Sequence, residues 1–568
     1  MVPPQIAERE AKSLQTKAPK TQMSAFARSV YEQKYAWRND EGEVVEDWPQ
    51  TAYRVTSNVL GALGYTPEDK EFQKILAFIE KRKFMPGGRY LYASGRGLHQ
   101  VQNCLLLRAE DSREGWAELL SKSAMALQTG AGIGVDYSDI RCSGSPIKRT
   151  GGVASGPLSL MKMVNEVGRG VMQGGARRSA IWAGLRWDHE DCNAFIEMKD
   201  WPEEIRKLKE KDFSFPAEME FTNISVLLND EFFEAYADAS HPKHELATST
   251  YLKTVKSMVK TAEPGLSVDV GVNANETLRN ACTEVTSEDD SDICNLGSIN
   301  LACVDSKEEM EELVRYGTLF LLAGTVYSDL PYDKVHDVRK QNRRLGLGLM
   351  GIHEWLLKNK QPYAPNDKMA EWLDIYATST EVAGQWAEQH GLSKPVKTRA
   401  IAPTGTIGIV AETTTGIEPI FAVAFKRRVR TAQADGKDQV RYQYVIDPTA
   451  QRLIENHGVD PHSIEDAYML SYNVEKRVEF QAWVQRWVDH AISSTINLPY
   501  AIEDEEEAGW FADMLIKHLP GMRGITVYPD GSRGGQPLTM VPYEVAAAHV
   551  GVVFEEDEEK CRGGSCGV

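Results

Sequence analysis

Two periods alternate along the chain. Apolar residues recur at helical spacing in Phe72, Ile75, Leu76 and Ile79, with Thr66 placed to cap and Pro67 at the first helical position, so the spacing predicts a helix from 67. Similar stripes predict helices through Trp116, Leu119, Leu120 and Met125, through Leu160, Met161, Val164 and Val167, and from Arg343 to Leu357, the last broken by glycines. A long amphipathic helix is expected to carry Phe480, Trp483, Val484, Trp487, Val488 and Ala491 on one side. The acidic run Glu503–Glu507 reads as the first turn of another helix, where negative charge meets the positive end of the dipole. Runs of strand character lie between: a turn leading into a strand over Phe84–Leu91, then Asn103–Leu107, Phe221–Val226 and Gly524–Pro529. Helices interleaved with short strands predict a mixed α/β chain.

Residues 1–23 show little periodicity and are expected to form a flexible arm, with structure beginning near Ser24. From about residue 540, low hydrophobicity and clustered charge predict a mobile tail. Over 568 residues the chain is 42% hydrophobic and 26% charged, which suits a globular protein with a large core. Its net charge of −18 argues against a general binder of nucleic acid or anionic membrane. The N-terminal residues lack the apolar core of a signal peptide, and no run of about 18 apolar residues predicts a membrane span. Eight cysteines in so long a chain do not make a disulfide scaffold and fit a reducing, cytoplasmic setting.

The stretch with the most chemistry is Asn280-Ala281-Cys282-Thr283-Glu284. If it is extended, Asn280, Cys282 and Glu284 point to one side and gather an amide, a thiol and a carboxylate; in a helix they would diverge. The alternative is a small core cysteine between polar residues on a solvated face. The acidic, turn-like Ser287–Asp292 could fold the chain back and bring Cys294 near the first thiol. Cys104 starts the apolar run Cys104–Leu107, where the residues alone favour a buried core cysteine.

Other motifs concern anions. Gly130-Ala131-Gly132-Ile133-Gly134 follows a helical stripe, not a strand, and its third glycine is misplaced, so it is not a dinucleotide loop. Small residues ending in Ser155-Gly156-Pro157 precede a helix, whose N-terminus is either an anion site or a simple cap. Arg177 and Arg178 after a glycine pair suit phosphate recognition or a solvated surface. Pro403-Thr404-Gly405-Thr406 offers small donors around a glycine, as a phosphate cradle requires. Near the C-terminus Cys561 and Cys566 lack the partners for zinc; flanking glycines and Arg562 fit a dithiol shuttle, and no metal site is predicted.

The pattern Asn-x-Cys-x-Glu followed by Cys294-Asn295-Leu296-Gly297-Ser298-Ile299-Asn300-Leu301 resembles the catalytic finger loop of ribonucleotide reductases, especially the adenosylcobalamin-dependent class II enzymes. The resemblance spans roughly residues 80 to 568. It implies a ten-stranded α/β barrel of two half-sheets with a central finger loop. The corresponding division is a flexible arm over 1–23, a helical N-terminal region over 24–83, the catalytic barrel over 84–540 and a redox-active tail over 541–568. It implies that Cys282 carries a thiyl radical, Glu284 is general base, Asn280 holds the ribose hydroxyls, and Cys104 with Cys294 is the reducing pair. Cys561 and Cys566 would carry oxidising equivalents to thioredoxin or glutaredoxin. Pro403–Thr406 and Ser155 would bind substrate, a ribonucleoside di- or triphosphate. Arg177, Arg178 and a segment between about 203 and 222 would serve deoxynucleoside triphosphate effectors, and a homodimer is a candidate assembly.

Class I large subunits take their radical from a metal-containing partner subunit through two adjacent tyrosines near the last barrel strand. Here Tyr528 is followed by Pro529, which favours adenosylcobalamin as the radical source. A class I large subunit using another route is the alternative, followed by a non-radical thiol-disulfide oxidoreductase. No module resembling the ATP-cone is seen before the barrel. Cys142, Cys192 and Cys303 have no expected role beyond packing.

Overall fold

The computed structural model describes residues 23–148, 151–173, 177–211, 215–432, 438–530, 532 and 538–554. Its centre is a ten-stranded sheet. In chain order the strands are β1 (Phe84–Pro86), β2 (Cys104–Arg108), β3 (Gly132–Asp136), β4 (Ile181–Arg186), β5 (Thr222–Asn229), β6 (Gly265–Asp269), β7 (Asp292–Asn300), β8 (Leu345–Met350), β9 (Thr495–Leu498) and β10 (Gly524–Pro529).

Strands β2 to β6 run parallel to one another, joined by crossover segments that carry the outer helices. A second set also runs parallel within itself: β7 with β8, β8 with Arg399 through a bridge at Leu347, Ile401 with Ile492, and β9 with β10. The two sets meet antiparallel at both seams, β2 against β7 and β6 against β10. The architecture is therefore α/β with two half-sheets of opposite direction. The bridges at 399–401 and 492 lead the second half from β8 back to the start of β9.

Alternation along the strands separates an outer core from an inner one. Leu105, Leu107, Ile133, Val135, Ile181, Ala183, Ile525 and Val527 pack outward against helices such as His244–Thr261 and Glu505–His518. Truncating one of these, Leu107→Ala for example, would cost ~2–5 kcal/mol. Cys104, Leu106 and Cys294 face inward with Leu278, Val285 and Ala400. The N-terminal helices Ala25–Lys34, Trp48–Gly61 and Lys70–Glu80 join the 21-residue helix Lys307–Tyr327 over the outside of the second half-sheet. No helix among the described residues is long and apolar enough to cross a membrane.

Several elements differ from the periodicity. The first stripe starts its helix at Lys70, because Asp69 turns back to accept from the Thr66 amide and hydroxyl and closes a turn over 66–69. After β1 the chain forms the helix Gly88–Ala93, not a strand. The Leu-Gly alternation at 345–350 is strand β8, not helix: Gly348 lets Ala400 approach, where a Cβ would come within 2.7 Å of its carbonyl oxygen. The helix carrying Phe480 ends at Gln485, and the chain turns so that Asp489 accepts from the Thr398 and Arg399 amides. Residues 541–554, expected in the tail, hold the helix Tyr543–Ala548, whose Ala546 is buried against Ala424 and Ile446, and the strand Val553–Phe554, paired with Tyr442–Gln443. The segment beginning at Glu203 is a helix to Lys211 rather than a loop.

Candidate active site

The stretch 278–287 is a hairpin. Leu278 pairs with Ser287 and Arg279 with Thr286, and the tip between them reaches into the sheet. Asn280 makes the tip compact: its Oδ1 accepts from the Val285 amide at 3.0 Å and its carbonyl accepts from the Thr283 amide at 3.0 Å. Thr283 takes a φ of 69°, so the tip is a tight turn and not the extended run expected. The turn nonetheless gathers the same three side chains around Cys104: Asn280, Cys282 and Glu284 all act on the Cys104 thiol, and Asn280 acts on Glu284 as well.

The hairpin lies hard against β3. A Cβ on Gly134 would stand 1.9 Å from the Arg279 carbonyl oxygen, so only glycine admits the finger at this depth. On the other side the Ala491 amide donates to the Glu284 carbonyl at 2.9 Å.

Around the tip the thiols divide by burial. Cys282 is exposed, while Cys104 and Cys294 are 2% and 0% exposed. Cys104 and Cys294 are register partners across the antiparallel seam between β2 and β7. Burial pushes both thiols well above their ordinary range, and the nearby Glu284 pushes the same way. They are held as S–H rather than thiolate. Glu284 is 1% exposed, and burial raises its carboxyl to about 7, with the Asn280 hydrogen bond working against the rise. Its Oε2 has no hydrogen-bond partner among the described residues. A carboxyl poised near neutrality, with one oxygen uncommitted beside an exposed thiol, is suited to take a proton from a bound hydroxyl.

The chain carrying Pro403–Thr406 leaves the sheet after Ile401. Thr404 adopts φ 50° and is tied back by the Gly416 amide, which donates to its Oγ1 at 2.7 Å. Gly416 cannot carry a side chain there, since a Cβ would meet the Ala402 carbonyl oxygen at 2.7 Å. The same 416–421 turn is anchored to β9: Glu418 accepts from the Thr495 amide at 2.6 Å and from Arg477 at 2.9 Å. A cleft of about 180 Å³ opens beside it at the C-terminal ends of β9 and β10, lined by Phe421, Tyr468, Ser471, Asn497, Tyr528 and Asp530 among others. On these strands the outward positions are Ile496, Leu498, Ile525 and Val527, so Asn497 and Tyr528 face the inside of the sheet.

Ser155 lies elsewhere. It precedes the helix Pro157–Gly170, beside Ser143 and Asp191 on the loops that follow β3 and β4. Those strands belong to the half-sheet whose direction is opposite to that of β8 and the bridged segment leading to Pro403–Thr406. Arg177 and Arg178 form a short strand paired with Met172–Gln173. Arg178 sits over the Phe221 ring at 4.6 Å and 3.7 Å from Glu220, which Arg169 also engages. Cys142 is not simply packed: its sulfur meets Glu190 at 2.8 Å and Ser145 at 3.0 Å. Cys561 and Cys566 lie outside the described residues.

A finger loop carrying a thiol, a carboxylate and an amide, set beside a buried cysteine pair inside two antiparallel half-sheets, matches one family by sequence as well. The family model described as "Ribonucleotide reductase, barrel domain" covers residues 102–255, 243–383 and 381–528. The chain belongs to the ribonucleotide reductase family. It is 27% identical to the vitamin B12-dependent ribonucleoside-diphosphate reductase of Mycobacterium tuberculosis, over 98% of this chain and 86% of that protein. A Thermoplasma acidophilum protein of the same name is 28% identical over 82% of this chain and 66% of its own length.

The charged groups beneath the finger have no motif. Asp269, Glu276, Arg279, Asp292, Arg344, His490 and Arg523 are buried in one cluster although they are scattered over more than 250 positions. Each, read singly, resembles a surface charge.

Proposed function

We propose that the chain reduces ribonucleoside diphosphates to 2′-deoxyribonucleotides with adenosylcobalamin as its radical source. The observation that carries this reading is the convergence of Asn280, Cys282, Glu284, Cys104 and Cys294 around one hairpin tip, in a family whose similar members are named vitamin B12-dependent reductases.

The cleft at the ends of β9 and β10 suits a nucleoside group. Phe421, Tyr468 and Tyr528 offer aromatic faces for a base, and Asn497 and Ser471 offer polar partners for a sugar. These residues would hold the adenosyl end of the cofactor. When bound, the cofactor supplies homolysis of its carbon–cobalt bond and with it the oxidising equivalent that makes Cys282 a thiyl radical.

The chain's own groups do the rest. The Cys282 sulfur takes the hydrogen atom from C3′ of the ribose. Glu284 takes the proton of the 3′-hydroxyl, its uncommitted Oε2 being the accepting atom, while Asn280 orients the hydroxyls. The 2′-hydroxyl leaves as water with a proton from the Cys104–Cys294 pair, which stays protonated because burial disfavours thiolate. The pair gives up two electrons and becomes a disulfide, a hydrogen atom returns from Cys282 to C3′, and the balance is one ribonucleotide and two thiols to one deoxyribonucleotide, one disulfide and one water. Pro403–Thr406 binds the substrate phosphates. Cys561 and Cys566 re-reduce the buried pair and pass the oxidation to thioredoxin or glutaredoxin. Deoxynucleoside triphosphates act near Arg177, Arg178 and the 203–222 segment to select the base, in a homodimer. A dithiol cycle of this kind belongs in the cytoplasm.

The test uses the purified full chain with a ribonucleoside diphosphate, a dithiol and adenosylcobalamin, and no other protein. Deoxynucleotide is expected. A chain inert under these conditions, yet active once a metal-containing partner subunit is added, would make it a class I large subunit.

A further inference from the structure

The finger enters the sheet through a layer of buried charge. Glu276 precedes the first arm of the hairpin, and its carboxylate is shared among four groups. Thr286 on the second arm donates its hydroxyl to Oε2 at 2.7 Å, Arg344 reaches Oε1 at 3.1 Å, Arg523 stands 3.5 Å away, and Lys397 pairs with Oε2. Its backbone carbonyl also accepts, from Arg279 at 2.5 Å and Arg523 at 3.3 Å. The three cations come from different places: Arg344 immediately precedes β8, Arg523 immediately precedes β10, and Lys397 precedes the bridged segment at 399–401. Arg344 also holds Asp292 at the start of β7 at 2.5 Å, and Asp292 accepts from Ser287 on the second arm at 2.7 Å. His490 completes the layer, with its Nδ1 accepting from the Thr286 amide at 3.1 Å.

We propose that Glu276 is the positioning residue of the finger: a single carboxylate ties both arms of the hairpin base to the starts of β8 and β10 and to the bridged segment at 399–401, and thereby sets the depth at which Cys282 presents its sulfur. The proposal rests on the reading of Cys282 as radical carrier. Above this layer the tip is held to the sheet by non-directional packing of Val285 with Cys104 and Cys294 and by the Ala491 amide on the Glu284 carbonyl, whereas the close approach at Gly134 falls on Arg279 in the stem. Depth and tilt at the tip are therefore decided at the stem, where the hydrogen bonds are charge-assisted and buried. Hydrogen-atom transfer is sensitive to such placement, and an error of about 1 Å can cost ~10²-fold in rate.

Removing the charge leaves Asp269 and Asp292 to face Arg279, Arg344, Arg523 and Lys397, so Glu276→Gln risks the fold itself. Two gentler variants separate positioning from stability. Thr286→Val removes the hydroxyl that joins the second arm to Glu276 and that also lies 3.3 Å from His490 Nδ1, and Glu276→Asp keeps the charge one methylene shorter. The experiment measures amide hydrogen exchange over 278–287 by mass spectrometry in the full chain, together with kcat and KM for the nucleotide with adenosylcobalamin. Expected in both variants is exchange at the finger faster by about tenfold or more, exchange in the helix Lys307–Tyr327 unchanged, and kcat lower by about tenfold with KM within about twofold. Unchanged finger exchange in both variants would overturn the proposal, as would faster exchange with unaltered kcat. If the unmodified chain itself forms no deoxynucleotide, the functional reading fails, and the exchange data still decide whether Glu276 holds the finger.

Discussion

Cys104 and Cys294 stand directly opposite each other on antiparallel strands that close one seam of the sheet. Opposed residues in such a pair have Cα atoms ~4.5–5.5 Å apart, inside the ~4.4–6.8 Å window that a disulfide accepts. The pair can therefore oxidise without moving its strands, whereas Cys282, at the exposed tip, is a third thiol to which the proposed mechanism gives a different duty. Cys282→Ser is expected to abolish substrate consumption, because a serine O–H is far harder to convert to a radical than an S–H. Cys104→Ser or Cys294→Ser should still consume nucleotide but release free base in place of deoxynucleotide. Chromatography of the products separates the two patterns; identical behaviour of all three variants would contradict the division of roles.

Glu284 gives a pH dependence with a definite sign. As a base it must be ionised, and burial raises its carboxyl to about 7, so kcat/KM should rise with pH through about 7 and then level. Stability should run the other way. The folded protein holds a proton on Glu284 that the unfolded chain has already lost, so this residue's contribution falls as pH rises from about 4.5 to about 7 and stays low above. Glu284→Gln should thus be nearly inactive yet more stable than the parent above pH 7, by up to ~3 kcal/mol on the basis of ~1.4 kcal/mol per unit of pKa, with the advantage vanishing near pH 4. Denaturant melts at the two pH values measure this directly.

How far the site could be read from the chain depends on how local its geometry is. Asn280, Cys282 and Glu284 are legible because they lie within five residues, even though the chain turns at Thr283 where an extended run was expected. Cys104 and Cys294 are 190 positions apart, and the residues alone leave Cys104 as a core cysteine and bring Cys294 only toward Cys282 through a turn; the seam between β2 and β7 is what sets the two opposite each other. The Leu-Gly run at 345–350 misleads for a related reason, since a strand buried on both faces has no polar positions to alternate with the apolar ones, and its glycines read as helix breaks. Glu276, Arg344, Lys397, His490 and Arg523 leave no local signal, because their meeting is a product of sheet closure.

Gly134 is a sharper case of the same dependence. Its place in a glycine-rich run attracts a phosphate-loop reading, but its use is to let β3 touch the finger backbone. In Gly134→Ala the new methyl would stand 1.9 Å from the Arg279 carbonyl oxygen, a contact with backbone on both sides that no rotamer relieves. Over-packing of this kind costs ~1–3 kcal/mol and shifts the softer partner, here the hairpin. The variant should fold with a lowered melting temperature and lose about tenfold or more in kcat. Gly152→Ala, where a Cβ meets nothing within 4 Å, is the control and should leave both unchanged.

The buried pair raises the question of how it is reduced again. Cys104 and Cys294 are 2% and 0% exposed, so a thioredoxin-sized protein has no access to their disulfide. Cys561 and Cys566 follow the strand Val553–Phe554, which is fastened to Tyr442–Gln443, and the seven residues from Phe554 to Cys561 span at most ~25 Å when extended. On the proposed reading, a carrier tethered in this way would meet the oxidised pair at an effective concentration set by the tether. Changing both cysteines to Ser should therefore leave the melting temperature and one turnover of prereduced enzyme intact. Multiple turnover driven by thioredoxin should collapse by about a hundredfold, while a small dithiol that enters the sheet directly restores much of the rate. Loss of the first turnover, or unfolding, would show that the two thiols hold structure and do not carry electrons.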